Sequence, residues 1–168
     1  MASCKHYQYY VEGECEKKLL TVLKEQGSLI IPGKIEVMNV IQNEIPDAKL
    51  MLLPPKVTVI LVFDTDKDSA DILQLNINKL LRMDHIEEVW CVTQVPDFES
   101  ELVRATSLRS ILKLYDCSGM SEFKELFIKD KNLYKRLCGY KFDLNLMWSS
   151  KASGVYEKVT NNGARIKK

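Results

Sequence analysis

The sequence has little histidine and no glycine-rich phosphate loop. Its two histidines, His6 and His85, have no histidine or cysteine partner at the spacing of a metal site, which argues against the usual kinds of zinc centre. Neither G-x-x-x-x-G-K-[ST] nor G-x-G-x-x-G occurs, so the known glycine-based nucleotide signatures are missing. There is also no G-x-S-x-G turn to present a serine nucleophile.

Long apolar runs and paired cysteines are also missing. The longest apolar run, Val57–Phe63, is far too short to cross a bilayer, and the first residues do not resemble a signal peptide. The cysteines are odd in number and show no C-x-x-C spacing; they are Cys4, Cys15, Cys91, Cys117 and Cys138. We therefore expect free thiols, a cytoplasmic setting and no membrane contact.

The charges nearly balance. There are 24 lysines and arginines against 23 acids, for a formal net charge of +1. Most nucleic-acid-binding domains show a clear basic excess, so the bulk charge weighs against that function. It still allows a local basic patch beside an acidic site.

Hydrophobic periodicity predicts strands and helices that alternate along the first hundred residues. The predicted strands are Tyr7–Val11, Ile35–Met38, Val57–Phe63 and Glu88–Val95. The predicted helices are Glu14–Gln26, a short one at Asn39–Glu44, Ala70–Met83, Phe98–Thr106, Leu108–Leu114, Ser121–Ile128 and Asn132–Cys138, while Asp47–Leu53 is ambiguous between helix and loop. This order predicts an α/β fold with a mostly parallel, Rossmann-like sheet of four strands flanked by helices.

The chain divides into three predicted parts. Residues 1–106 form the α/β core, residues 107–147 a helical extension of the same domain, and residues 148–168 a polar tail that we expect to be loosely held. Composition and length suit one domain that needs no disulfide or metal to fold.

Acidic side chains stand where two predicted strands end. Glu12 follows the first strand, and Asp64 and Asp66 follow the third. Because parallel strands share a carboxyl edge, we expect these three carboxylates to lie close together. Their mutual repulsion and their all-oxygen chemistry predict a site for Mg²⁺ or Mn²⁺.

Other interpretations of these acids fit less well. Asp64-x-Asp66-x-Asp68 begins like an EF-hand loop, but Ser69 stands where glycine is needed. The same run resembles the opening of a haloacid dehalogenase-type phosphatase, except that it lies far from the start of the chain. Asp68 also suits a helix cap, and Glu99 suits the first turn of a helix.

Two short motifs resemble the Toprim signature. These are Val11-Glu12-Gly13-Glu14 before a helix, and Val62-Phe63-Asp64-Thr65-Asp66-Lys67-Asp68 after the third strand. The stretch Val95–Leu102 is similar to the Phe-Glu segment of small stand-alone RloB-like and OLD-like Toprim proteins. The resemblance covers roughly residues 7–105.

The resemblance implies a Toprim-like fold and specific roles for these acids. Glu12 would be the general acid/base, Asp64 and Asp66 would bind Mg²⁺, and Asp68 and Glu99 would be auxiliary ligands. No tyrosine is placed recognisably as a topoisomerase nucleophile. The helical extension matches no pattern of the family.

Three functions follow from these observations. The first is a metal-dependent nuclease acting on DNA or RNA, in a setting such as prokaryotic defence, with Lys34, Lys135 and Arg136 as candidate nucleic-acid contacts. The second is a non-catalytic module that binds nucleic acid or a partner protein of a defence system. The third is a small-molecule phosphohydrolase or nucleotidyl-transfer enzyme.

Overall fold

Four parallel strands form the centre of the molecule. The structure is a computed structural model and describes residues 5–168. The strands are β1 (His6–Val11), β2 (Lys34–Val37), β3 (Val57–Asp64) and β4 (Ile86–Gln94). They lie in the order β2-β1-β3-β4, and every neighbouring pair is parallel. The sheet is buried on both faces, which explains why β3 is buried without a break from Val57 to Phe63 and consists mostly of β-branched residues.

Helices connect and flank the strands. They are α1 (Glu14–Glu25), α2 (Asp47–Met51), α3 (Asp71–Leu81), α4 (Phe98–Arg104), α5 (Met120–Lys129), α6 (Leu133–Gly139) and α7 (Gly163–Ile166). Single turns of 3₁₀ helix occur at Ile111–Leu114, Leu144–Leu146 and Gly154–Tyr156. The predicted α/β fold, with a parallel sheet between helices and a helical extension, is confirmed.

The sheet separates two hydrophobic clusters. On one face, Tyr9 and Val11 of β1 meet α1, α4, α5 and α6. On the other face, Tyr10 and its neighbours meet α2, α3 and the C-terminal segment. Because alternate residues of a strand point to opposite faces, β1 serves both clusters. Each large side chain buried in this way contributes roughly 1.5–3 kcal/mol to folding.

The predicted short helix at Asn39–Glu44 is wrong, since this segment is a turn. Asn39 begins a single helical turn, because its Oδ1 accepts the backbone N–H groups of Ile41 and Gln42 at 3.1 Å each, as a helix N-cap does. One helical bond follows, from the Asn43 N–H to the Asn39 carbonyl at 2.9 Å, and Pro46 lies too close for a longer helix. The ambiguous segment after Pro46 becomes α2.

The segment 148–168 is not the loosely held tail that its polar composition suggested. Trp148, Tyr156 and Ile166 are buried. The backbone N–H of Asn162 donates to the Cys91 carbonyl at 2.6 Å, and the Asn162 side chain accepts from the Cys91 N–H at 2.9 Å. Polar residues that looked like solvated ones therefore supply hydrogen-bond partners to the outer edge of β4.

The four described cysteines form no disulfide, as predicted. Cys4 lies outside the described residues. No helix within residues 5–168 combines the length and the apolar character that crossing a bilayer requires.

Candidate metal centre at the carboxyl edge of the sheet

The strand order creates a switch point between β1 and β3. The β1-α1-β2 unit covers one face of the sheet and the β3-α3-β4 unit the other, so the chain leaves β1 and β3 in opposite directions. In open parallel sheets, ligands bind in the crevice that such a divergence leaves beyond the strand ends. Glu12 follows β1, and Asp64 is the last residue of β3. Both therefore stand at this crevice.

Every strand of the sheet contributes one polar group here. Glu12 Oε2 accepts the backbone N–H of Asp64 at 3.1 Å, and Glu12 Oε1 accepts the Asn39 amide at 3.1 Å. Asp64 Oδ1 accepts the Gln94 amide at 2.6 Å. Asn39 follows β2, and Gln94 ends β4. The two amides fix the two carboxylates without neutralising them.

A cavity of about 380 Å³, which we call the acidic cavity, opens beside these groups. It is lined by five acids and one lysine: Glu12, Glu14, Glu16, Asp64, Glu99 and Lys124. The Lys124 amine on α5 lies 3.8 Å from a Glu99 oxygen. The helical extension therefore forms one wall of the cavity. With five acids and one lysine in its lining, the cavity has an excess of acidic groups.

The carboxylates disfavour one another's ionisation. Burial raises the pKa of Asp64 to about 8; the Gln94 hydrogen bond opposes this, and the charges of Glu12, Glu16 and Glu99 reinforce it. Burial also raises the pKa of Glu16, with Glu12 and Glu99 adding to the rise. Groups shifted by burial and by like charges are characteristic of functional sites.

The structure brings together only some of the acids that the sequence singled out. Glu12, Asp64 and Glu99 line the acidic cavity. Asp66 lies outside it and pairs with Lys67 at 3.3 Å. Asp68 is exposed and borders a different hollow, between α3 and the C-terminal segment. The Asp-x-Asp run thus points only its first acid into the cavity.

A hard divalent cation suits the donors present. They are carboxylate and amide oxygens, which are hard ligands. A bound cation would also offset the excess negative charge of the carboxylates. Within residues 5–168, however, no three histidine, cysteine, aspartate or glutamate side chains are already grouped as a metal-holding set. The metal site expected from the sequence is therefore not preformed, although its chemistry fits.

Four residues of the site escaped sequence reasoning: Glu16, Asn39, Gln94 and Lys124. Two of them carried a usable signal, because Asn39 and Gln94 are polar residues at the ends of strands that share the edge of Glu12 and Asp64. In the sequence, Glu16 resembles an ordinary acid in the first turn of a helix, where the helix dipole favours negative charge. Lys124 carried no signal, since nothing in its sequence surroundings places α5 beside the sheet.

The basic candidates lie away from the acidic cavity. Lys34 begins β2, at the opposite end of the sheet, and pairs with Glu36 at 2.5 Å. Arg136 is held by Asp130 at 2.7 Å and stacks on Tyr115. Its neighbour Lys135 is exposed on α6 and does not line the acidic cavity. Their role in binding nucleic acid remains a prediction.

No protein-family model, curated protein or solved structure matches this chain. The residues at the strand ends, and those that line the acidic cavity, are therefore what indicates its chemistry.

Proposed function

We propose that this protein is a divalent-metal-dependent phosphodiester nuclease of the Toprim type, acting on DNA or RNA. One observation carries the proposal: Glu12 and Asp64 come from two different strands and both line the acidic cavity at the switch point of the sheet, where Glu12 Oε2 accepts the Asp64 backbone N–H at 3.1 Å. This is the place where open parallel sheets bind ligands. The Toprim resemblance places its glutamate and its first aspartate at these two positions.

Glu12, Asp64 and Glu99 would hold the Mg²⁺ or Mn²⁺ ion, since these three predicted ligands line the acidic cavity. When bound, the cation would offset negative charge on a phosphoryl oxygen and lower the pKa of a water. Asn39 and Gln94 orient the carboxylates through their amides. Asp66 would join the ligands only by releasing Lys67.

Glu12 is the proposed proton acceptor. Its two oxygens each accept one hydrogen bond, from Asn39 and from the Asp64 backbone, and each keeps a lone pair for a proton. Lys124 supplies the positive charge on the opposite wall, where it faces Glu99. A cavity of about 380 Å³ is within the range that accommodates a small organic ligand, so it has room for one nucleotide of a strand.

The test is cleavage of labelled single- and double-stranded DNA and RNA with Mg²⁺ or Mn²⁺. Asp64→Asn and Glu12→Gln keep the shape of each side chain and remove its charge. Each should lower the cleavage rate at least about a hundredfold, because several kcal/mol of transition-state stabilisation depend on these carboxylates. Asp84→Asn is a matched control, since Asp84 is exposed and lies at the other end of the sheet.

Two outcomes would contradict the proposal. One is that the wild type cleaves none of the four substrates with either metal. The other is that Asp64→Asn cleaves as fast as the wild type and as Asp84→Asn.

The size of the acidic cavity favours a second candidate, a small-molecule phosphohydrolase or nucleotidyl-transfer enzyme that uses the same carboxylates. This candidate predicts turnover of nucleotides or phosphate monoesters, lost in Asp64→Asn, without cleavage of polymers. A non-catalytic module that binds nucleic acid or a partner protein is favoured by the ion pair that engages Asp66. That candidate predicts tight binding without turnover and without metal uptake.

A further inference from the structure

A second hollow, of about 490 Å³, lies within the C-terminal segment 148–168. We call it the lysine hollow. Its polar lining consists mainly of hydrogen-bond donors and one acid: Lys151, Lys158, Ser149, Ser150, Thr160, Asn161 and Glu157. Both lysines are exposed, and the lining carries the opposite sign of charge to the acidic cavity.

The lining also includes an indole with an unused donor. Trp148 is 2% exposed, and its Nε1 is buried without a hydrogen-bond partner among the described residues. Buried donors in folded proteins nearly always have a partner, so an orphaned one marks a place that a ligand or a water completes. The backbone around Trp148 is well fixed, because its N–H donates to Glu101 at 2.7 Å and its carbonyl accepts from Asn161 at 2.8 Å.

Tyr156 connects this segment to the carboxyl edge of the sheet. Its ring packs on Phe63, the residue before Asp64, at 6.2 Å between centroids, and its hydroxyl donates to the Ser69 carbonyl at 3.4 Å. Lys158, two residues further along, also borders the hollow that contains Asp68 and Ser69. A basic surface therefore adjoins Asp68 and Ser69, which follow Asp64 and Asp66 in the same loop.

We propose that the lysine hollow binds a backbone phosphate of a polynucleotide strand, next to the phosphodiester that occupies the acidic cavity. This inference rests on the proposed nuclease function. The acidic cavity repels phosphate until its charge is offset, so the strand needs an attractive site elsewhere on the protein. Two exposed lysines and three hydroxyls are donors that suit a phosphate, and lysine contacts supply most of the affinity of such sites.

The test measures the Kd of fluorescently labelled 12-nucleotide DNA and RNA single strands by fluorescence anisotropy. EDTA is present so that no strand is cleaved. The Lys151→Ala/Lys158→Ala variant should bind about tenfold more weakly at low salt. The slope of log Kd against log salt should fall by about 1.4 for a single strand, as expected for two lost phosphate contacts. The control is Lys113→Ala/Lys131→Ala, which removes the same charge from two exposed positions that line neither the acidic cavity nor the lysine hollow; it should change Kd less than about twofold.

The proposal is overturned if the hollow variant binds as tightly as the wild type, or if both double variants weaken binding equally. It is also overturned if the wild type binds neither strand. Circular dichroism checks that each variant is folded. The two proposals can fail separately. If the wild type cleaves a strand but the hollow variant binds as tightly as the wild type, only the lysine-hollow proposal fails. If binding depends on the hollow but the wild type cleaves no strand, only the nuclease proposal fails.

Discussion

Two carboxylates near the carboxyl ends of β3 and β4 have opposite surroundings. Glu101 on α4 is fully buried and completely compensated: it accepts the N–H groups of Val95 and Trp148 and pairs with Arg104 at 2.8 Å. Asp64 accepts one side-chain hydrogen bond, from Gln94, and faces Glu12, Glu16 and Glu99. One acid has partners for its charge, and the other is surrounded by like charges.

The contrast separates a structural acid from a functional one. A buried charge with full hydrogen bonding fixes the elements that it joins; here these are the end of β4, α4 and the C-terminal segment. A partly buried acid without compensation resists ionisation and weakens the fold once it is charged, and such acids occur where a ligand will compensate them. The sequence alone does not separate a structural acid from a functional one. Glu99, which lines the acidic cavity, and Glu101, which does not, occupy the same first turn of α4.

The largest expected effect comes from breaking the compensated acid. Glu101→Ala leaves Arg104 unpaired and two buried N–H groups without an acceptor, so the free energy of unfolding should fall by about 3–5 kcal/mol. Urea denaturation followed by circular dichroism measures this. Glu125→Ala removes an exposed carboxylate that pairs with Lys129, and it should cost no more than about 0.5 kcal/mol. Equal losses in the two variants would show that the Glu101 network contributes no more than a surface pair.

Replacing the uncompensated acid should have the opposite sign at a pH where that acid is ionised in the wild type. Asp64 keeps its proton up to about pH 8 in the folded protein and releases it near 3.8 when unfolded. The stability that this proton provides is complete below about pH 4 and is lost as pH rises through 8. Asp64→Asn avoids that loss, so its gain in unfolding free energy should be at least about 1 kcal/mol larger at pH 8 than at pH 5.

Denaturation of both proteins at the two pH values measures this difference. A gain that is the same at pH 5 and pH 8, or a loss at both, would place the charge of Asp64 in a compensated environment like that of Glu101. Asp84→Asn, at the far end of the sheet, is the control for the loss of one carboxylate.

Added metal should act on the same acid. A cation that binds only the folded protein stabilises it by about 2.7 kcal/mol when present at a hundred times its Kd. We expect Mg²⁺ or Mn²⁺ to raise the melting temperature of the wild type and to have a much smaller effect on Asp64→Asn. Ca²⁺ and added NaCl at matched ionic strength are the comparison conditions, because screening alone would stabilise both proteins alike.

The smallest expected effect comes from removing the Tyr156 hydroxyl, which joins the C-terminal segment to Ser69; loss of the whole ring is the comparison. Tyr156→Phe removes a long hydrogen bond to Ser69 and keeps the packing on Phe63, so it should cost about 0.5–1 kcal/mol. Tyr156→Ala also removes the ring and should cost roughly 3–5 kcal/mol. If both variants lose the same amount, the hydroxyl rather than the ring holds the segment in place.

Periodicity was sufficient to predict the sheet. The β-branched run of β3 and the spacing of leucines in α1 and α3 report burial directly, so strands, helices and the shared carboxyl edge followed from local pattern. The acids at that edge followed as well, because Glu12 and Asp64 end strands that are parallel.

Long-range contacts explain what the sequence did not predict. Lys124 enters the acidic cavity only because α5 packs against α1. Asn161 and Asn162 resemble a solvated turn in the sequence, yet they bond to β4 across a separation of about 70 residues. Asp66 lay in the expected loop, but its pairing with Lys67 depends on side-chain geometry that spacing does not encode.

The bonds that Asn161 and Asn162 make to β4 also cover the outer edge of the sheet. A strand edge without a partner exposes backbone N–H and C=O groups that can pair with another chain. Variants that loosen the C-terminal segment should therefore uncover the edge of β4 and aggregate more readily, even where the sheet itself stays folded.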